Sequence, residues 1–250
     1  KNYTTKPEIY STKSGLFPAD HFYQVYQDRA GNNWLLTDNG LGMIRPGEWQ
    51  PVNYFVETQG KQDGMNQAFY AVRECEDDIC FTSDRGRIWC YQKKSGEFRL
   101  HELPTKARIT SIHAVGNDNT VVTTDSDGFF LSNLKTNKHI HYSPVTCKEL
   151  SDQPILSAYV DRTSEVWFEQ EEPGVVVHFN PATGVVKREQ MRVEYSNADR
   201  SRPAFHIHED IHGHVWVHPY GGGFSYFDRE RNCLVPFYDD LGSNNWRFSN

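Results

Sequence analysis

Residues 28–44 read DRAGNNWLLTDNGLGMI, and residues 210–227 repeat the same order of features as DIHGHVWVHPYGGGFSYF. Each stretch has an Asp-x-x-Gly sequence, then a strand with a Trp, then a Gly-containing loop before another strand. Asp accepts hydrogen bonds from the amides of a turn and Gly adopts the left-handed conformation, so this sequence reverses the chain tightly. The pattern therefore predicts a β-hairpin that recurs along the chain.

Weaker copies of the pattern lie between these two stretches. They read ECEDDICFTSDRGRIWCY from Glu74, VGNDNTVVTTDSDGFFLS from Val115 and VDRTSEVWFEQEEPGVVVHF from Val160. The positions aligned as equivalent are Trp34, Ile79, Val121, Trp167 and Trp216. They recur at intervals of about 40–50 residues, which is the period of a β-propeller blade.

Each repeat contains four short alternating segments and no helical periodicity of useful length, so the sequence predicts an all-β propeller of four-stranded antiparallel blades. Residues 1–250 are predicted to form a single propeller segment. Its blades are predicted at 22–60, 68–103, 109–145, 155–192 and 205–240, with an orphan strand at 7–13 and the start of a further blade at 241–250. We expect the five blades to belong to a larger six- to eight-bladed ring, with a closed five-bladed ring as the alternative.

Two kinds of residue are assigned to the framework of the repeat. Asp and Gly form the turn, and Trp fills the space between neighbouring sheets with its indole ring. The residues with this structural role are Asp28, Gly31, Trp34, Trp167, Asp210, Gly213 and Trp216.

The first repeat, preceded by YSTKSGLFPADHFYQVYQD at residues 10–28, resembles the propeller repeats of bacterial two-component regulators. It looks most like the periplasmic sensor region of hybrid two-component histidine kinases of Bacteroidetes, and the resemblance covers nearly the whole chain. It implies an extracytoplasmic, periplasmic sensor module that responds to glycan-derived oligosaccharides. It also implies neighbouring domains of the same receptor and a homodimer of the full-length receptor as partners. No kinase signature occurs here, so this chain itself is predicted not to be an enzyme.

Composition limits the other function classes. The formal net charge is −7 without a run of Lys or Arg, so contact with nucleic acid is not expected. No stretch approaches the roughly 20 apolar residues of a membrane span. The five cysteines are an odd number without CxxC spacing, which favours neither a zinc ribbon nor a disulfide framework. Cys80 and Cys90 are interpreted as buried thiols, the compartment stays open, and no cofactor is predicted.

Ligand recognition in a propeller depends on loops, here those that join the second strand to the third and one blade to the next. Mixed polar groups beside an aromatic ring suit sugars, whose hydroxyls need polar partners and whose apolar face rests on the ring. Tyr220 is the preferred aromatic residue. The ligand-binding candidates are Asn39, Arg85, Asp127, Glu171, Arg202, His218 and Tyr220.

Two alternative kinds of site are weighed. His206 and His208 share a strand face and are weak metal candidates, but zinc needs three or four converging ligands, so polar hairpin roles are favoured and no metal is predicted. A five-bladed carbohydrate-active enzyme, a glycoside hydrolase or lyase, would need paired carboxylates. The carboxylates considered are Asp28, Glu74, Asp161 and Glu209, whose recurrence at one blade position favours turn formation. A protein-binding scaffold is the third alternative.

Overall fold

The computed structural model describes residues 17, 19, 21–55, 68–116, 118–170, 172, 175–190, 205–219 and 225–236. Every regular element in these ranges is a β-strand, and the strands form five four-stranded antiparallel sheets. This confirms the predicted repeat of four-stranded units. A helix that could cross a membrane is absent from the described residues. The segments predicted at 7–13 and 241–250 lie outside them.

In each sheet the strands lie side by side in chain order, so every sheet is a meander of hairpins. Sheet 1 contains β1 (Phe22–Gln27), β2 (Asn33–Thr37), β3 (Gly40–Ile44) and β4 (Val52–Tyr54), and sheet 2 contains β5 (Phe69–Glu74), β6 (Asp78–Ser83), β7 (Arg87–Gln92) and β8 (Phe98–Glu102). Sheet 3 contains β9 (Ile109–Ala114), β10 (Asn119–Thr124), β11 (Phe129–Asn133) and β12 (Lys138–Tyr142). Sheet 4 contains β13 (Ile155–Val160), β14 (Val166–Gln170), β15 (Val175–Asn180) and β16 (Val185–Gln190). Sheet 5 contains β17 (Phe205–Glu209), β18 (Val215–Pro219), β19 (Ser225–Asp228) and β20 (Cys233–Pro236).

The chain divides into two compact units. Unit 1 comprises residues 1–104 and holds sheets 1 and 2, and unit 2 comprises residues 105–250 and holds sheets 3 to 5. The organisation of residues 1–250 as one propeller segment and its place in a larger ring stay predictions.

Apolar side chains between neighbouring sheets form the core of each unit. In unit 1, Trp34 of sheet 1 packs on Phe81 of sheet 2 with ring centroids 4.8 Å apart. In unit 2, Trp167 of sheet 4 meets Phe227 of sheet 5 at 4.8 Å, and Phe129 of sheet 3 meets Phe168 of sheet 4 at 4.6 Å. Both Trp side chains are fully buried, as the sequence predicts for a residue that fills the space between sheets.

The recurring Asp and Trp are joined by a hydrogen bond that the sequence analysis did not foresee. The indole Nε1 of Trp34 donates to Asp28 Oδ2 at 2.9 Å, while the other oxygen of Asp28 accepts the amides of Ala30 and Asn32. The pairs Trp167–Asp161 and Trp216–Asp210 have the same 2.9 Å bond. A buried indole N–H needs an acceptor, so the Asp of the turn also holds the Trp that follows it.

In sheets 2 and 3, Cys75 and Val115 take the turn position that Asp28 holds in sheet 1. The amide of Cys75 bonds the carbonyl of Asp78 at 2.8 Å, and this closing bond spans one residue fewer than the Asp28–Asn32 bond of sheet 1. Because of the shorter turn, Cys80 takes the position of Trp34, and the sequence alignment of Trp34 with Ile79 was off by one residue. A shift of one residue moves a side chain to the other sheet face.

The expectation of two buried thiols at Cys80 and Cys90 was wrong, because the structure joins them in a disulfide. Cys80 lies directly opposite Cys90 on β6 and β7, as Trp34 lies opposite Met43 on β2 and β3. Both cysteines are 3% exposed. A covalent cross-strand link thus takes the place of the Trp in sheet 2, and such links are typical of proteins in oxidising compartments.

Candidate functional site

The two ends of each sheet are built differently. The turn end carries the loops that join the first strand to the second and the third to the fourth. At the opposite end, which we call the bulge end, the second strand joins the third, and the first strand starts with a β-bulge in sheets 1 to 4. A bulge adds an unpaired residue and redirects its side chain, and bulges are over-represented next to functional sites.

The bulged segments carry different side chains in the two units. In unit 1 they present Tyr23 and Tyr70, and in unit 2 they present Thr110 and Leu156. Thr110 Oγ1 donates to the carbonyl of Ile155 at 2.7 Å and so bridges sheets 3 and 4. The bulge positions of unit 1 are therefore aromatic, whereas Thr110 in unit 2 serves a contact between sheets.

Three rings meet at the bulge end of unit 1, and we call them the aromatic cluster: His21, Tyr23 and Tyr70. The rings of Tyr23 and Tyr70 lie 4.9 Å apart and tilted, and the rings of His21 and Tyr23 lie 5.4 Å apart. Tyr23 is 45% exposed. The cluster therefore offers an aromatic surface to solvent at the end of two neighbouring first strands.

A carboxylate fixes one ring of the cluster. The hydroxyl of Tyr70 lies 3.1 Å and 3.2 Å from the two oxygens of Asp84, which follows β6. Asp84 is half-buried. A hydrogen bond to an ionised acceptor is stronger than one between neutral groups, so Tyr70 is held in position before any ligand arrives.

Arg85, one of the predicted ligand-binding residues, follows Asp84 in the turn between β6 and β7. The amide of Arg87 bonds the carbonyl of Asp84 at 3.3 Å, and the central residues Arg85 and Gly86 have φ of 57° and 68°. Two positive φ angles define a type I′ turn, where Asn, Asp and Gly are preferred. Arg85 is exposed, and within the described part of the chain its guanidinium forms no ion pair.

The other predicted ligand residues are spread over both units. Asn39 lies in the turn between β2 and β3 of unit 1, where its amide donates to Thr37 Oγ1 at 3.1 Å. Asp127 lies at the bulge end of sheet 3 in unit 2, with its Oδ1 3.1 Å from His141 Nε2. His218 belongs to β18, with its side chain outside the description, and Glu171, Arg202 and Tyr220 also lie outside the described residues.

The described histidine side chains of sheet 5 form no metal-binding group. His206 and His208 are exposed on β17, and the ring of His214 is turned to Asp210 at 3.0 Å. Within the ranges that the structure describes, no group of three or more His, Cys, Asp or Glu side chains could hold a metal ion.

The turn carboxylates considered for catalysis are occupied by their own turns. Burial alone would raise the pKa of Asp28, but hydrogen bonds from Trp34 and Asn32 outweigh it and hold this pKa below its ordinary value. The pKa of Asp161 is likewise lowered, because hydrogen bonds from Trp167 and Arg229 outweigh its burial. A catalytic acid needs a raised pKa, so neither residue is suited to that role.

The two candidate glutamates bind the turn of the preceding sheet. Glu74 accepts the amide of Arg29 at 3.1 and 3.2 Å and the hydroxyl of Tyr26 at 2.9 Å. Burial and this bond to Glu74 raise the pKa of Tyr26 to about 12. Glu209 binds the amide of Arg162 at 2.9 Å in the same way, and its other oxygen lies 2.8 Å from Arg162 Nε. These glutamates link neighbouring sheets within a unit.

The sequence analysis missed Tyr23 and Tyr70, although a signal was present. The first strands of unit 1 read FYQVYQ and FYAVRE, so the same Phe-Tyr pair opens both. The corresponding pairs in unit 2 have no Tyr and read Ile109-Thr110, Ile155-Leu156 and Phe205-His206. A comparison of the strand starts would have identified the two tyrosines as a departure from the other copies.

By sequence, no family model matches the chain and no curated protein matches it. Solved structures are similar in fold. The extracellular domain of the hybrid two-component system BT3049 from B. thetaiotaomicron has a TM-score of 0.63 and 17% identity, over 86% of this chain and 29% of that one. Virginiamycin B lyase from Staphylococcus aureus has a TM-score of 0.64 and 14% identity, over 87% of this chain and 69% of that one.

A further similar structure is YCF48 bound to D1 peptide, with a TM-score of 0.59 and 12% identity over 86% of this chain and 66% of that one. These similarities confirm the all-β, propeller-like class predicted from the repeats. The chain spans less than a third of the BT3049 domain. An extracellular domain of a two-component system, a lyase and a protein bound to a peptide share the architecture, so the fold by itself does not select a function.

Proposed function

We propose that this chain is a ligand-binding module of an extracytoplasmic sensor of the two-component type, and that it binds an oligosaccharide at the bulge end of unit 1. The observation that carries the proposal is the aromatic cluster, where an exposed Tyr23 lies against a Tyr70 that Asp84 holds in place. The remaining alternatives, an enzyme and a protein-binding scaffold, predict other outcomes of the experiment below.

The cluster has the chemistry that saccharides require. The apolar face of a pyranose rests on an aromatic ring, and its hydroxyls bond fixed polar groups around the ring. Asp84 accepts hydrogen bonds, and a carboxylate has about four acceptor sites, so the bond from Tyr70 leaves others for sugar hydroxyls. Because Tyr70 is already fixed, binding immobilises little beyond the ligand, and preorganisation of this kind favours affinity.

Two observations support an extracytoplasmic location. The Cys80–Cys90 disulfide is of a kind that persists in oxidising compartments, and the periplasm is one of them. Solved structures with the same fold include extracellular domains of hybrid two-component systems. The periplasm as the compartment, neighbouring receptor domains as contacts and a homodimeric receptor belong to the proposal.

Binding without catalysis is favoured by the state of the carboxylates. The pKa of Glu74 is lowered, because hydrogen bonds from Lys93 and Tyr26 outweigh its burial, so this residue stays ionised in its contact between sheets. Asp28, Asp161 and Glu209 are likewise engaged in turns or sheet contacts. We therefore expect the oligosaccharide to be released unchanged.

The test is isothermal titration calorimetry of the 250-residue chain with a panel of plant and host oligosaccharides, together with Tyr23→Ala. Loss of an aromatic stacking partner should weaken binding at least tenfold. Leu156→Ala is the matched control, since Leu156 lies at the equivalent bulge of sheet 4 and is 43% exposed, and its variant should bind like the wild type.

Three results would contradict the proposal. Equal binding by Tyr23→Ala and the wild type would show that the aromatic cluster is not part of the binding site. Conversion of a bound glycan would favour the enzyme, and binding of a peptide without any glycan would favour the scaffold.

A further inference from the structure

We infer that the oligosaccharide is anionic and that Arg85 binds its carboxylate or sulfate group. This inference rests on the proposed function, because it places the anion beside the aromatic cluster. It adds the charge of the ligand and the residue that selects it.

The conformation of Arg85 is the first argument. Arg85 holds φ of 57° at the first central position of a type I′ turn, where an L-residue with a long side chain is disfavoured and Asn or Gly would form the turn more easily. Unfavourable backbone conformations of this kind persist at functional sites. The turn itself therefore does not explain why this residue is an arginine, whereas a function of its side chain does.

The position of Arg85 in the chain is the second argument. Arg85 directly follows Asp84, whose oxygens lie within 3.2 Å of the Tyr70 hydroxyl, so its Cα is one residue from a group that contacts the cluster. An arginine side chain is long enough to reach a ligand resting on these rings. Among the described residues it has no acidic partner, so its five donors are available to a ligand.

Arginine matches the geometry of oxyanions. Its planar guanidinium donates two parallel hydrogen bonds to a carboxylate or to two oxygens of a sulfate, which lysine cannot do. The neighbouring turn of sheet 1 carries the exposed Asp38, whose amide lies 3.4 Å from the carbonyl of His21. Asp38 and Asp84 both repel an anion, but the sheet 2 turn adds the positive charge of Arg85 next to Asp84, so the anionic group belongs beside Arg85.

The decisive variant is Arg85→Asn, because the turn chemistry and the binding chemistry predict opposite effects. Asn is preferred at this turn position, so the melting temperature of the free protein should be unchanged or higher. Affinity for an anionic ligand should fall about 10- to 100-fold, the effect of one hydrogen-bonded charge. Arg99→Gln removes the same charge from β8 of the same sheet and should change neither quantity.

The ligands are chosen in matched pairs. A trimer of galacturonic acid is compared with its neutral methyl ester, and a sulfated galactose oligosaccharide with its desulfated form. The inference predicts that the wild type binds one anionic member at least tenfold more tightly than its neutral partner, and that Arg85→Asn abolishes this preference. The affinity for the anion should also fall as salt is raised, because the interaction is ionic.

The outcomes separate the inference from the proposed function. A preference for the uronate identifies a carboxylate as the anion, and a preference for the sulfated sugar identifies a sulfate. Tight binding of neutral oligosaccharides that Arg85→Asn leaves unchanged would overturn the inference while the proposed function stands. Binding of no glycan of either charge would overturn both.

Discussion

At the turn end of sheets 1, 4 and 5 the same bond from an indole to an Asp carboxylate recurs at 2.9 Å. At the bulge end the bulged residue differs between the units, with Tyr23 and Tyr70 in unit 1 and Thr110 and Leu156 in unit 2. The first end is constrained because its side chains link neighbouring sheets within a unit, as Glu74 links sheets 1 and 2 and Glu209 links sheets 4 and 5. The second end is free to differ, and its loops are where we place recognition.

The comparison of the two ends predicts that the free energy of unfolding depends more on residues at the turn end than on residues at the bulge end. Replacement of Trp167 by Ala removes a fully buried ring between sheets 4 and 5 and should lower the free energy of unfolding by about 3–5 kcal/mol. Leu156→Ala at the bulge end should cost less than about 1 kcal/mol, because the side chain is partly exposed. Urea denaturation of both variants measures the difference. Similar losses in the two variants would remove the distinction between the ends.

The disulfide of sheet 2 is predicted to supply part of the stability that a buried Trp supplies in sheets 1 and 4. Cys80→Ala/Cys90→Ala should lower the free energy of unfolding by about 2–3 kcal/mol, as expected for a crosslink that closes a short loop. A reducing agent should produce a loss of similar size in the wild type and none in the double variant. Free thiol titration of the unfolded wild type without reductant should find three thiols, at Cys75, Cys147 and Cys233. Five titratable thiols would contradict the link.

Acid should weaken the turn end of sheet 4. The folded pKa of Asp161 lies below its ordinary value, so its ionised form stabilises the protein above pH 4. This contribution disappears as the pH falls through the folded pKa. Asp161→Asn should therefore lower the free energy of unfolding at pH 7, because the neutral amide cannot pair with Arg229, and the difference from the wild type should shrink below pH 4. A difference that stays constant down to pH 3 would mean that the charge of Asp161 does not stabilise the fold.

The smallest expected effect is at the bulge end. Tyr70→Phe keeps the ring and removes the hydroxyl that Asp84 holds, so the free energy of unfolding should fall by about 1 kcal/mol, since water can replace the lost bond at the half-buried Asp84. Affinity for the oligosaccharide should still fall several-fold, because the ring loses its fixed position. Calorimetry measures the affinity of this variant, and urea denaturation measures its free energy of unfolding. A large loss of stability with unchanged affinity would mean that the bulge end serves stability and not ligand binding.

The sequence predicts the fold well because the fold rests on local signals. Asp28, Gly31 and Trp34 determine a turn and a buried strand within seven residues, and such a unit is visible each time it recurs. The disulfide was missed for two physical reasons. The turn at Cys75 is one residue shorter, which hides that Cys80 occupies the Trp position, and its partner Cys90 is reached only through strand pairing.

Of the residues in the candidate site, the sequence led only to Arg85, chosen from its loop, and that choice stays a prediction. Tyr23 and Tyr70 were overlooked because they lie in strands, and strand residues were assigned to the framework. Their exposure depends on the bulges, which are determined by the pairing of first and second strands and leave no mark in one strand alone. Sequence patterns therefore locate the loops of this chain better than they locate irregularities within its strands.

The most direct test is a crystal structure of the chain with the tightest-binding oligosaccharide of the panel. The account predicts a sugar ring against Tyr23 and Tyr70 and an anionic group within hydrogen-bonding distance of the Arg85 guanidinium. A sugar bound at the turn end, beside the Asp28, Asp161 or Asp210 turns, would contradict it.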